Sequence, residues 1–130
     1  MSVEQAIHER WGAYAPLSAM VDDSHVYTGP FPGNETPYVT MERVGDSAVQ
    51  RTSEGNLYET IMLRFDVVDS DLTNAKRIAE TLYKNFNRAD FSWSLGKVLD
   101  MKPMNRSESQ DENNAWHVQL DYKIEAMQRA

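Results

Sequence analysis

The stretch Leu57–Phe86, LYETIMLRFDVVDSDLTNAKRIAETLYKNF, most sharply limits what this chain can fold into. Its first half alternates. Leu57, Glu59, Ile61, Leu63, Phe65 and Val67 fall on one side of a strand, and Tyr58, Thr60, Met62, Arg64, Asp66 and Val68 on the other. Successive strand side chains face opposite ways, so one set can line a core while the other meets water or a partner. The second half changes period. Leu72, Ala75, Ile78, Ala79, Leu82 and Phe86 recur at helical spacing and make one apolar stripe. Between the halves, Ser70 or Asp71 can accept a hydrogen bond from a free N–H of the first helical turn, and the acidic charge suits that end of the helix dipole. A helix laid on the Ile61/Leu63/Phe65 face is the simplest core this chain can build.

The rest of the chain reads as short elements around that unit. Residues 2–14 predict a helix capped by Ser2, with Val3, Ala6, Ile7, Arg10, Trp11 and Tyr14 along one face and Pro16 ending it. A further helical turn follows at Leu17–Val21. His25–Thr28 and Pro37–Val44 read as strands, joined by the stiff turn formers Gly29-Pro30-Phe31-Pro32-Gly33-Asn34. Gly45–Asn56 is either a plain loop or a hairpin whose strands run through Ala48-Val49 to a tip near Ser53–Asn56. Phe91-Ser92-Trp93 is short and aromatic, and Leu95–Met104 reads as a strand interrupted by Gly96. The polar run Asn105–Asn114 is expected to be a solvated hairpin loop. Trp116–Met127 alternates throughout, with Trp116, Val118, Leu120, Tyr122, Ile124 and Ala126 on its apolar side. The resulting order, α-β-β-β-α-β-β, predicts one α+β domain over residues 1–130, with a mostly antiparallel sheet and the helices on one face.

Composition excludes several classes of function. The chain has no cysteine, so disulfide frameworks, thiolate metal sites and cysteine nucleophiles are absent. A formal net charge of −7, without any run of Lys and Arg, argues against nucleic-acid binding and against anionic membranes. The polar N-terminal segment does not resemble a signal peptide, and no stretch is long and apolar enough to span a membrane, so the chain is expected in the cytoplasm.

No catalytic, cofactor or metal site is legible. His8, His25 and His117 show no paired spacing. Asp66, Asp69 and Asp71 read as helix capping and solvated loop; the run lacks the glycine and terminal glutamate of a calcium loop. No serine sits in a nucleophile-elbow pattern, and the prolines of 29–33 remove the N–H groups a phosphate cradle needs. From the residues alone the chain is an α+β domain. Its alternative reading is a small-molecule-binding domain or enzyme, with a pocket between sheet and helices and polar groups such as His117 and Asp121 converging on it.

Two segments together carry a resemblance. Val26-Tyr27-Thr28-Gly29 with Gly33, then Pro37-Tyr38-Val39 through Arg43-Val44, looks like the "VY-small-G … G … PY(V) … R(V/I)" entry of the tail-completion or tail-terminator proteins of long-tailed bacteriophages and prophages. Glu59–Phe86, with its Arg64-Phe65-Asp66-Val67 strand and Ala75–Leu82 helix, is similar to that family's central strand and helix. The corner Asp69-Ser70-Asp71 and the acidic 105–114 run depart from the pattern. The resemblance implies a structural protein without enzymatic activity or cofactor. It implies a homo-oligomeric ring, typically hexameric, that stops tail-tube growth and meets tail-tube and head-completion proteins, made in the host cytoplasm and ending in the virion tail. The surfaces expected to meet a neighbouring subunit are Tyr58, Thr60, Met62 and Arg64 on the outward side of the central strand, with Arg43 and Val49.

Overall fold

The computed structural model describes residues 3–29, 33, 35–45 and 48–128. Its centre is the unit around Leu57–Phe86. Strand β4 (Leu57–Asp69) runs into helix α3 (Leu72–Phe86), and Asp71 caps the helix, its carboxylate accepting the Thr73 N–H at 3.1 Å. Ile61, Leu63, Phe65 and Val67 are buried on one side of β4, and Ala75, Ile78, Ala79, Leu82 and Phe86 are buried along α3. The two halves meet where Phe65 stacks on Phe86, ring centroids 5.6 Å apart. Such ring pairs contribute about 0.5–1.5 kcal/mol beyond the area they bury.

Among the described residues, seven strands form one sheet in the order β1-β2-β4-β7-β6-β5, with β3 pairing β4 off that path. These are β1 (Val26–Thr28), β2 (Tyr38–Arg43), β3 (Ala48–Arg51), β5 (Phe91–Trp93), β6 (Gly96–Gln110) and β7 (Trp116–Gln128). Only the β1–β2 pair is parallel among those described; the others are antiparallel. β2 and β3 lie end to end along the same edge of β4, so the hairpin reading of 45–56 holds for Ala48–Arg51, with the turn at Thr52–Asn56.

Helix α1 (Val3–Ala13) buries Val3, Ala6, Ile7 and Trp11 into the same core, and the Trp11 indole donates to the Val21 carbonyl at 2.8 Å. The expected Ser2 cap, most of the 29–34 connection and part of the 45–56 loop lie outside the described residues. Pro16 does not merely end α1. It sits in the first turn of the short helix α2 (Ala15–Ser18), where its missing N–H has no partner to lose. The expected strand start at His25 belongs to a 3₁₀ turn over Asp23–His25, which Asp22 caps through the Ser24 N–H.

The largest departure lies in the polar run. Asn105–Gln110 is strand, not loop, and the turn is confined to the residues between Gln110 and Trp116. Arg106 and Glu108 stand opposite Leu120 and Val118, on the side facing α3, where they pair with Glu80 and Lys76. Asn105–Gln110 are exposed, and this part of the strand meets the helix through surface ion pairs rather than apolar burial, so no hydrophobic alternation marks it. Gly96 begins β6 because a Cβ there would stand 2.1 Å from the Met127 carbonyl oxygen.

Candidate subunit-contact surfaces

Cross-strand register sorts the expected contact residues onto two surfaces. Tyr58, Thr60, Met62 and Arg64 stand opposite Met127, Glu125, Lys123 and Asp121 of β7, on the side of the sheet away from Ile61, Leu63 and Phe65. We call this the outer face. Arg43 and Val49 lie on the other side, since they pair with Leu63 and Glu59.

Arg43 is a clamp. It donates to both carboxylate oxygens of Glu4 on α1 at 3.0 Å each and to Glu59 on β4 at 3.2 Å. The Glu4 hydrogen bonds lead in holding its guanidinium protonated well above the ordinary arginine value, with Glu59 adding to them against the cost of burial. Val49 is 58% exposed and lines a cavity of about 220 Å³ with Leu57, Arg43 and Trp93. The Trp93 indole N–H is buried there without an acceptor.

On the outer face, Arg64 holds Asp121 through two hydrogen bonds, Nε to Oδ1 at 2.8 Å and the second guanidinium nitrogen to Oδ2 at 3.2 Å. This fork satisfies a carboxylate that is otherwise buried. Two rows toward the far end of β4, His117 lies between two carboxylates: Nδ1 is 2.9 Å from Asp66 and Nε2 is 2.8 Å from Asp111 in the β6–β7 turn. An imidazole donates from both nitrogens only when protonated. Burial of the ring works against that charge, but the hydrogen bonds to Asp111 and Asp66 outweigh it and raise the His117 pKa. The same bond, joined by the Ala115 and Asn113 N–H groups, holds Asp111 below the usual carboxylate range. Burial and the charges of Asp66 and Asp111 push the nearby Tyr38 phenol up.

This corrects the reading of Asp66, which neither caps α3 nor lies in a loop. Of that trio, Asp71 is the cap, and Asp69 is buried and accepts from Asn74 and Ser70. The link between His117 and Asp66 was not legible because it depends on which residue of β7 stands beside which residue of β4. The one available signal was that both lie on the polar sides of their strands.

His117 and Asp121 do not converge on a pocket. A cavity of about 350 Å³ beside α3 and β6 is lined by Tyr83, Met104, Leu120 and Tyr122 with the Glu80–Arg106 pair; Asp121 reaches it and His117 does not. The Tyr122 hydroxyl is buried without a partner, and burial, then the nearby Tyr83, push its pKa up. Among the described residues, no group of three or more His, Cys, Asp or Glu side chains is placed to hold a metal ion, and no helix is long and apolar enough to cross a membrane.

These features define a class: a mixed α and β fold with a mostly antiparallel sheet, helices contributing to one core, and an outer sheet face of mostly polar residues. No protein-family model and no curated protein sequence matches the chain. The fold, however, is similar to that of a chain in a solved structure described as the "Virion of native gene transfer agent (GTA) particle". The likeness has a TM-score of 0.70 at 18% identity and covers 97% of this chain and 95% of that one, so what the two share is the fold.

Proposed function

We propose that this chain, acting as one domain over residues 1–130, is a structural component of a phage-like particle. More narrowly, we propose a tail-completion or tail-terminator subunit that forms a ring at the head-proximal end of the tail tube and joins tail to head. The observation that carries this reading is the likeness, over nearly the full length of both chains, to a chain of a gene transfer agent virion. The sequence resemblance points the same way through different residues: the Val26–Val44 entry and the Glu59–Phe86 strand and helix.

The role is non-enzymatic in this reading, needs no cofactor, and has other copies of the chain and neighbouring tail and head proteins as partners. Its residues for neighbour contact are Tyr58, Thr60, Met62 and Arg64 on the outer face and Arg43 and Val49 at the hairpin end. Val49 (58% exposed) and Tyr58 (38% exposed) support them: they stand on opposite faces of the sheet where β3 pairs the start of β4, each open to a neighbouring copy. The alternative, a small-molecule site built on His117 and Asp121, finds less support: Arg64 occupies Asp121, and Asp66 and Asp111 occupy His117.

Light scattering after size exclusion, over a wide concentration range and with isolated tail tubes added, tests the ring. A closed oligomer in solution or on the tube end is expected. A chain that stays monomeric under both conditions would overturn it.

A further inference from the structure

The outer face carries two neighbouring rows of charge that do not neutralise one another within the chain. Lys123 on β7 stands directly opposite Lys102 on β6, with Met62 beside it on β4. The next row, two residues along, sets Glu125 opposite Asp100, with Thr60 beside it. Like charges directly opposite one another on antiparallel strands destabilise the pair, and opposite charges there would have been the stabilising choice. Asp100 is relieved by Arg88 at 3.0 Å. Lys102, Lys123 and Glu125 have no ion pair among the described residues, and Lys102 and Glu125 are exposed. Arg64 and Asp121, in the row beyond the lysines, already satisfy one another.

The two rows are about 7 Å apart along the strands. A two-fold axis lying across the strands, midway between them, turns a second copy over and exchanges them. The lysine row of each copy then faces the carboxylate row of the other, and Lys123 of one meets Glu125 of its partner twice, once in each direction. A two-fold contact is self-complementary by construction, and this face is built in that way. We infer that the outer face is a two-fold self-association surface, and that its occupant is the outer face of a second copy of this chain, held by the Lys102/Lys123 row on the Asp100/Glu125 row.

The inference goes beyond the tail-end role and does not depend on it. Combined with head-to-tail contacts at the hairpin end, it gives an even number of copies in two face-to-face rings; without such contacts it gives a dimer.

Charge exchange on β7 tests it, leaving the core, Arg88 and the Arg64–Asp121 pair untouched. Mass is measured by light scattering as a function of concentration for the native chain, Lys123→Glu, Glu125→Lys and the double exchange. The native chain is expected to associate in even numbers, more weakly as salt rises. Each single variant places like charge on like charge twice and should weaken association at least about tenfold. An equimolar mixture of the two single variants should restore it as a heterodimer. The double exchange, which keeps the net charge, should restore it within one chain. Circular dichroism checks that all four are folded. Single variants that associate like the native chain, or a mixture and a double exchange that stay dissociated, would overturn the inference. Rings that persist in Lys123→Glu would overturn it while leaving the tail reading standing; a native dimer abolished by Lys123→Glu, in a chain that never engages tail tubes, would do the reverse.

Discussion

His117 shows how a single residue ties two distant parts of the chain together. Its ring joins Asp66 on β4 to Asp111 in the β6–β7 turn, and it does so best when protonated. Because its folded pKa lies above the unfolded value, its contribution is complete below the unfolded imidazole range near 6.5 and is lost as pH rises through the folded value. The lowered pKa of Asp111 acts in the opposite sense: its contribution is present above the unfolded value of 3.8 and fades in acid. Thermal unfolding should therefore show the link at its strongest in mildly acidic solution, weakening as the pH rises through the folded value. His117→Gln should flatten that decline, and an unchanged profile in the variant would show that the ring does not carry it. Arg64 is the other residue with a defined electrostatic task. Arg64→Met leaves the Asp121 carboxylate buried without its fork, and a loss of about 1.5–3 kcal/mol in denaturant unfolding is expected. That makes Arg64 a poor probe of assembly, since its replacement disturbs the fold first. Both residues could be assigned to polar strand faces from the alternation alone. Their partners could not, because a carboxylate 51 or 57 positions away in sequence becomes a neighbour only once the register of β4 and β7 is set.

At the scale of elements, legibility followed periodicity. β4, α3 and β7 each bury one face against the core, and the apolar positions that do so recur at the spacing of their element. Leu82→Ala, deep in the α3 stripe, should cost about 2–5 kcal/mol, and Asp71→Ala about 1 kcal/mol through loss of the cap. Both are read from chemical denaturation; equal costs would contradict the division between core and cap. β3 and the outer half of β6 were harder to read for one shared reason. Neither sets an apolar face against the core: β3 is exposed throughout, and Asn105–Gln110 meets α3 through Arg106–Glu80 and Glu108–Lys76. Gly96 looked like a strand interruption because its value lies in what it lacks. With the Met127 carbonyl oxygen 2.1 Å from the position of a Cβ, Gly96→Ala forces β6 and β7 apart, and a destabilisation of about 1–3 kcal/mol is expected.

The whole molecule places its charge where assembly can use it. A net charge of −7 keeps separate copies apart at long range. The local pairing of the Lys102/Lys123 row with the Asp100/Glu125 row then makes close approach specific to one orientation. The likeness to a gene transfer agent virion chain concerns the fold, and the tail-end role proposed here adds to it the exposed hairpin strand and the charges of Lys102, Lys123 and Glu125, unpaired among the described residues. That role is tested most directly by electron microscopy of particles made from the genome that encodes this chain, with the gene intact, deleted, and restored in trans. Deletion should leave full heads separated from tails, with tail tubes of uncontrolled length, and restoration should return joined particles of uniform tail length. Joined particles with tails of normal, uniform length in the absence of the chain would contradict it.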